Sequence, residues 1–184
     1  MHNQNCFIEF DIEGGQNFKD LDHAFQLIKE AKNNNKPQPD EYWLQHFPDY
    51  SLKHFYFLET DKKPTFETAP LEEFTWHFYS LIELLQVNYD IEYVTCSKLS
   101  DNQGRLEYSP HGYPYGGISG LITLVASFDC KPTIIDDGTS LYSINFKDNG
   151  DFSITDLNDP KLKDSSVERF DGVDLLRKFW NRFK

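Results

Sequence analysis

Positive charge is scarce in this sequence: 18 Lys and Arg stand against 30 Asp and Glu, for a net charge of −12. Proteins hold a phosphate backbone by neutralising it with Lys and Arg, and anionic membrane surfaces attract the same residues. The expected partners therefore include neither nucleic acid nor membrane. No stretch approaches the roughly 20 apolar residues of a transmembrane helix. The opening MHNQNCF has neither the basic region nor the apolar stretch of a secretory leader. Cysteine is also rare. Cys6, Cys96 and Cys130 are odd in number, far apart and outside any CxxC pair. A disulfide framework is thus excluded, and buried thiols in a reducing cytoplasm are expected. The histidines form no H-x-H, H-x-x-x-H or H-E-x-x-H pattern, so neither a metal site nor a cofactor is expected.

What the chain has instead is rings and acids. Sixteen Phe, ten Tyr and three Trp supply large buried areas per residue. At 184 residues, about two thirds of the unfolded surface can be buried. A single domain over 1–184 is expected, with 1–60 as a candidate smaller lobe. The acid excess is lopsided: residues 1–92 carry 17 acids against 7 Lys and Arg, residues 93–184 carry 13 against 11.

Alternation predicts a strand over Phe7–Ile12, closed by Gly14-Gly15. Phe18, Leu21, Phe25, Ile28 and Ala31 then mark one helical face, with Asn17 as its expected cap and Asp20 in its first turn. A short aromatic helix follows over Glu41–His46, stopped near Pro48. The aromatics of Tyr50–Leu58 read as a strand. Pro70 suits the first position of a helix whose buried stripe is Leu71, Phe74, Phe78, Leu81, Ile82 and Leu85. His77 borders that stripe as a hydrogen-bonded packing residue.

Ile91–Leu99 and Arg105–Tyr108 predict a hairpin. Ile118–Phe128 is apolar nearly all round, so as a helix it must be deeply buried. Pro132–Ile135 reads as a strand ending in Asp136-Asp137-Gly138. Leu141–Phe146 and Phe152–Ile154 flank the tight-turn signal Asp148-Asn149-Gly150. Asp171 caps a last helix with Val173, Leu176, Phe179, Trp180 and Phe183 on one side. Hairpins mixed with helices, without βαβ alternation, predict an α+β fold: five to seven mainly antiparallel strands packed with three to four helices.

Two functional readings follow. The first is a non-enzymatic cytosolic protein that binds a basic protein partner, in the manner of an antidote or adaptor. Its expected surface is Glu41, Tyr42, Trp43, Glu72, Glu73 and Trp76, aromatic anchors ringed by charge. The second is an enzyme or small-ligand binder centred on HGYPYGGISG, residues 111–120. His111, Tyr113, Tyr115, Gly116, Gly117 and Ser119 would line the site beside Asp136 and Asp137. The stretch lacks the Lys-Ser/Thr of a phosphate loop, the G-x-G-x-x-G order of a dinucleotide site, and the second glycine of a serine elbow. Free backbone N–H groups at a helix start remain as an anion cradle. Against it, Gly116, Gly117 and Gly120 serve simply to pack a buried helix closely.

Overall fold

The computed structural model describes residues 5–71, 76–112, 117–146 and 152–158. In chain order these form β1 (Cys6–Ile12), α1 (Gly15–Asn33), α2 (Asp40–His46), α3 (Asp49–Leu52) and α4 (Phe78–Val87). Then come β2 (Ile91–Lys98), β3 (Gln103–Pro110), α5 (Ile118–Ser127), β4 (Cys130–Asp136), β5 (Leu141–Phe146) and β6 (Phe152–Asp156). The strands make one antiparallel sheet in the order β2-β3-β1-β4-β5-β6. The expected α+β class and the antiparallel sheet are both present.

Period-two alternation sets which face is covered. Along β1, Cys6, Ile8, Phe10 and Ile12 are buried, while Phe7, Glu9 and Asp11 point the other way. β3 buries Gly104, Leu106, Tyr108 and Pro110 in step with them. On the second face Arg105 pairs with Glu9, approaches Glu107 at 3.9 Å and lies 4.3 Å above the Phe7 ring. The helices close the first face. Phe18, Leu21, Ala24, Phe25, Ile28 and Ala31 of α1 meet the sheet and α4. Ile118, Leu121, Leu124 and Val125 of α5 fill the space between α4 and β4. Burying a large apolar side chain fully contributes about 1.5–3 kcal/mol, so this contiguous core holds the sheet and helices together.

The structure departs from the sequence expectations at three places. First, α1 begins at Gly15, and Asn17 is not its cap. Gly14 holds the cap position in an extended conformation, without a side-chain bond. Asn17 folds back over it, where a Cβ on residue 14 would lie 2.7 Å from Asn17 Oδ1.

Second, Tyr50–Leu58 is not a strand. After Pro48 the chain turns into α3, whose Ser51 and Leu52 N–H groups donate to the Pro48 carbonyl. The rings that suggested a strand form an aromatic cluster with Phe78 and Phe128. Ring centres lie 5.3 Å apart for Phe55–Phe78, 5.5 Å for Phe57–Phe78 and 6.4 Å for Tyr50–Phe128.

Third, the helix expected from Pro70 begins only at Phe78. Just ahead of it, Tyr56 N–H donates to the Trp76 carbonyl and Phe78 N–H to the Tyr56 carbonyl, each at 3.2 Å. That short parallel bridge holds residues 76–77 extended. Leu71, expected in the buried stripe, is 60% exposed in a turn, and Trp76 precedes the helix. Phe78, Leu81, Ile82 and Leu85 are buried as expected. The expected turn at 148–150, the helix from Asp171, and the stripe residue Phe74 lie outside the described residues.

Candidate functional site

The glycine-rich stretch is described at its two ends, His111-Gly112 and Gly117-Gly120; Tyr113, Tyr115 and Gly116 lie outside the described residues. Gly117 holds the N-cap position of α5 and is partly exposed. Gly120 is buried, and a Cβ there would meet Leu84 Cδ2 at 3.0 Å and Leu81 Cδ1 at 3.3 Å. Its smallness lets α5 approach α4, which is a packing role. Ser119 is partly buried, and its carbonyl accepts from Thr123 Oγ1 at 2.9 Å. His111 is exposed at the end of β3, with its backbone N–H on the Asp90 carbonyl.

The two aspartates beyond β4 are engaged by their own turn. Asp137 is buried, and its Oδ1 accepts from Thr139 N, Thr139 Oγ1 and Ser140 N at 2.7–2.9 Å. Asp136 Oδ1 accepts from Gly138 N at 2.8 Å. Short polar side chains that bond the backbone two residues on are turn builders, and here Oδ1 of each aspartate serves its own turn. Among the described residues, no group of three or more His, Cys, Asp or Glu could hold a metal ion.

The acidic surface is where charge collects. Asp40 and Glu41 open α2, Glu83 lies on the exposed side of α4, and Asp61 lies in the turn after Leu58. The Asp40 carboxyl is raised above the ordinary range by burial first and then by the charges of Glu41, Asp61 and Glu83, with His77 opposing. The Tyr79 hydroxyl donates to the Lys62 carbonyl at 2.7 Å. It is pushed up to about 12, mainly by burial and then by Asp40, Asp61 and Glu41. Lys62 answers part of this charge by pairing with Glu41. Leu58, 47% exposed, stands beside Asp61, which binds the Leu58 N–H at 2.6 Å.

The expected aromatic anchors divide. Trp43 is wholly buried between the rings of Tyr42 and Phe47, so it is not a surface contact. Its indole N–H finds no acceptor among the described residues. Tyr42 is half-buried and stacks on His46 with ring centres 4.0 Å apart. Trp76 is half-buried against the core, and Glu72 and Glu73 lie outside the described residues.

Sequence reasoning missed a chain of three side chains inside this acidic surface. His77 caps α4. Its Nε2 lies 2.7 Å from Asp61 Oδ2, and its Nδ1 lies 2.8 Å from Ser80 Oγ and 3.3 Å from Ser80 N. Burial opposes the ionisation of Asp61, but bonds from His77 and the Leu58 N–H, with the charges of His77 and Lys63, hold its carboxyl below the ordinary range. The His-x-x-Ser spacing at 77–80 signals a cap and its third helical position, whereas Asp61 is 16 residues away and joins only through the fold. Comparison with known proteins finds no matching family model, no matching curated protein and no matching solved structure.

Proposed function

We propose that this protein works by binding a basic protein partner, as an adaptor or antidote does, through the acidic surface of Asp40, Glu41, Asp61 and Glu83, with exposed Leu58 beside Asp61. The observation that carries the reading is that carboxylates from α2, the Asp61 turn and α4 come close enough for Glu41, Asp61 and Glu83 to add to burial in raising Asp40. Burial and these neighbours disfavour the charged form of Asp40 in the free protein, and a cationic partner favours it. Complementary potentials of this kind raise the association rate and reject wrong partners. Exposed Leu58 next to Asp61 provides an apolar contact, and half-buried Tyr42 follows Glu41 on α2.

Capture from native lysate tests the reading. Immobilised wild type is compared with the Asp40→Asn/Glu41→Gln/Glu83→Gln variant, at low and at moderate salt. A basic protein is expected on the wild type alone, released as added salt shortens the screening length below about 10 Å. No protein enriched over the variant at either salt refutes it.

A further inference from the structure

The Asp61–His77–Ser80 chain goes beyond what a helix cap requires. Capping α4 needs one acceptor for one backbone N–H, and Nδ1 of His77 supplies it to Ser80 N. A backbone N–H can only donate, so Nδ1 carries a lone pair. The proton of the neutral ring is therefore on Nε2, directed at Asp61 Oδ2 2.7 Å away. Asp61 is oriented in turn by the Leu58 N–H. With Nδ1 an acceptor, the contact at 2.8 Å makes the Ser80 hydroxyl the donor. The proton order is therefore carboxylate, imidazole N–H, imidazole lone pair, hydroxyl.

Only the hydroxyl end of this chain is open to solvent. The side chains of His77 and Asp61 are only 14% and 15% exposed, whereas Ser80 faces solvent. Ser80 is the third residue of α4, where the helix dipole favours developing negative charge. A nucleophile within hydrogen-bond reach of a base, itself oriented by a third group, is the arrangement that activates a serine.

We propose that Ser80 is a nucleophile, with His77 as its general base and Asp61 as a positioning residue, that cleaves small neutral or cationic carboxylic esters. As Ser80 Oγ bonds to the ester carbonyl carbon, its proton passes to His77 Nδ1. The carbonyl carbon–oxygen bond to the leaving alcohol then breaks, and the proton on Nδ1 goes to that alcohol. Water attacks the acyl-Ser80 ester with His77 taking its proton, which returns to Ser80 Oγ as the carboxylic acid departs. The surrounding carboxylates Asp40, Glu41 and Glu83 disfavour anionic esters. Asp61 belongs to both the acidic surface and this chain, but the partner-binding test leaves Asp61, His77 and Ser80 unaltered, so the two readings fail separately.

The test uses the full chain with diisopropyl fluorophosphate, a neutral probe that phosphorylates an activated serine, with mass spectrometry locating the adduct. One diisopropylphosphoryl group on Ser80 is expected, and Ser80→Ala removes it. His77→Asn keeps a good cap residue, so the helix is retained while the base is lost. It is expected to slow labelling by at least about 100-fold. Asp61→Asn, in fully folded protein, slows it by at least about tenfold. No adduct at Ser80 overturns the proposal, and so does a His77→Asn variant that folds and labels at the wild-type rate.

Discussion

Gly104 offers the sharpest test of how the sheet is assembled. It pairs with Phe10 across β1 and β3 and is buried. A Cβ built there would stand 2.5 Å from Phe10 Cζ and closer still to Cε2. Real Cβ atoms essentially never come within 3.0 Å of another heavy atom, so either the ring or the strand must shift. Phe10 is fully buried, with its ring stacked near Phe18 at 6.4 Å, and has little room to retreat.

Overpacking a close-packed core costs about 1–3 kcal/mol. Gly→Ala returns about 0.4–1 kcal/mol by restricting the unfolded chain. The net expectation for Gly104→Ala is about 1–2 kcal/mol of destabilisation, visible in urea unfolding as a lower midpoint at unchanged slope. The cause is tested by a cycle with Phe10→Leu. The double variant is expected to be more stable than the sum of the two single losses by about 1 kcal/mol, because the smaller side chain clears the new methyl. A Gly104→Ala protein within about 0.5 kcal/mol of wild type, or two losses that simply add, would refute the reasoning.

Two further expectations concern buried thiols and surface carboxyls. Cys6, Cys96 and Cys130 are buried, the Cys130 thiol is pushed up to about 12, chiefly by burial, and Cys96 is raised for the same main reason. In a colorimetric thiol assay all three are therefore expected to react at least about a thousandfold more slowly in native protein than in urea. One thiol that reacts at once in the native protein contradicts this.

Asp61 and Asp40 are expected to act on stability in opposite directions with pH. Asp61 titrates below its ordinary range when folded, so its contribution is present above the unfolded carboxyl range and fades as pH falls through the folded one. Asp61→Asn should therefore be less stable than wild type at neutral pH and approach it in acid. Asp40 is raised on folding, so its ionisation opposes folding at neutral pH. Asp40→Asn should be more stable there, with the gain vanishing in acid. Melting temperatures across pH check both, and equal shifts of one sign would contradict them.

Local pattern was enough for most of the architecture. β1, α2, the β2–β3 hairpin, α5 and β4 lie close to where alternation, 3.6-residue spacing and turn residues place them. Each has a period that survives whatever packs against it. Ring content likewise foretold an aromatic core. Elements whose residues answer to distant partners were not legible. Tyr50–Leu58 has strand-like aromatics, yet Phe47, Phe78 and Phe128 draw those rings into a cluster, and its strand pairing among the described residues is the Tyr56–His77 bridge. The helix start after Pro70 was misplaced because that bridge keeps residues 76–77 extended.

The sequence by itself determined class, charge and periodicity, since these depend on residue type and on neighbours within a few positions. Tertiary structure alone decided that Trp43 is enclosed and that α4 is the helix Gly120 admits. It also decided that Asp61 reaches His77 across 16 residues. Hydrogen bonds act at about 3 Å and side-chain contacts at about 4 Å. Which distant residues come that close is set by how the layers stack, and no spacing along the chain encodes it.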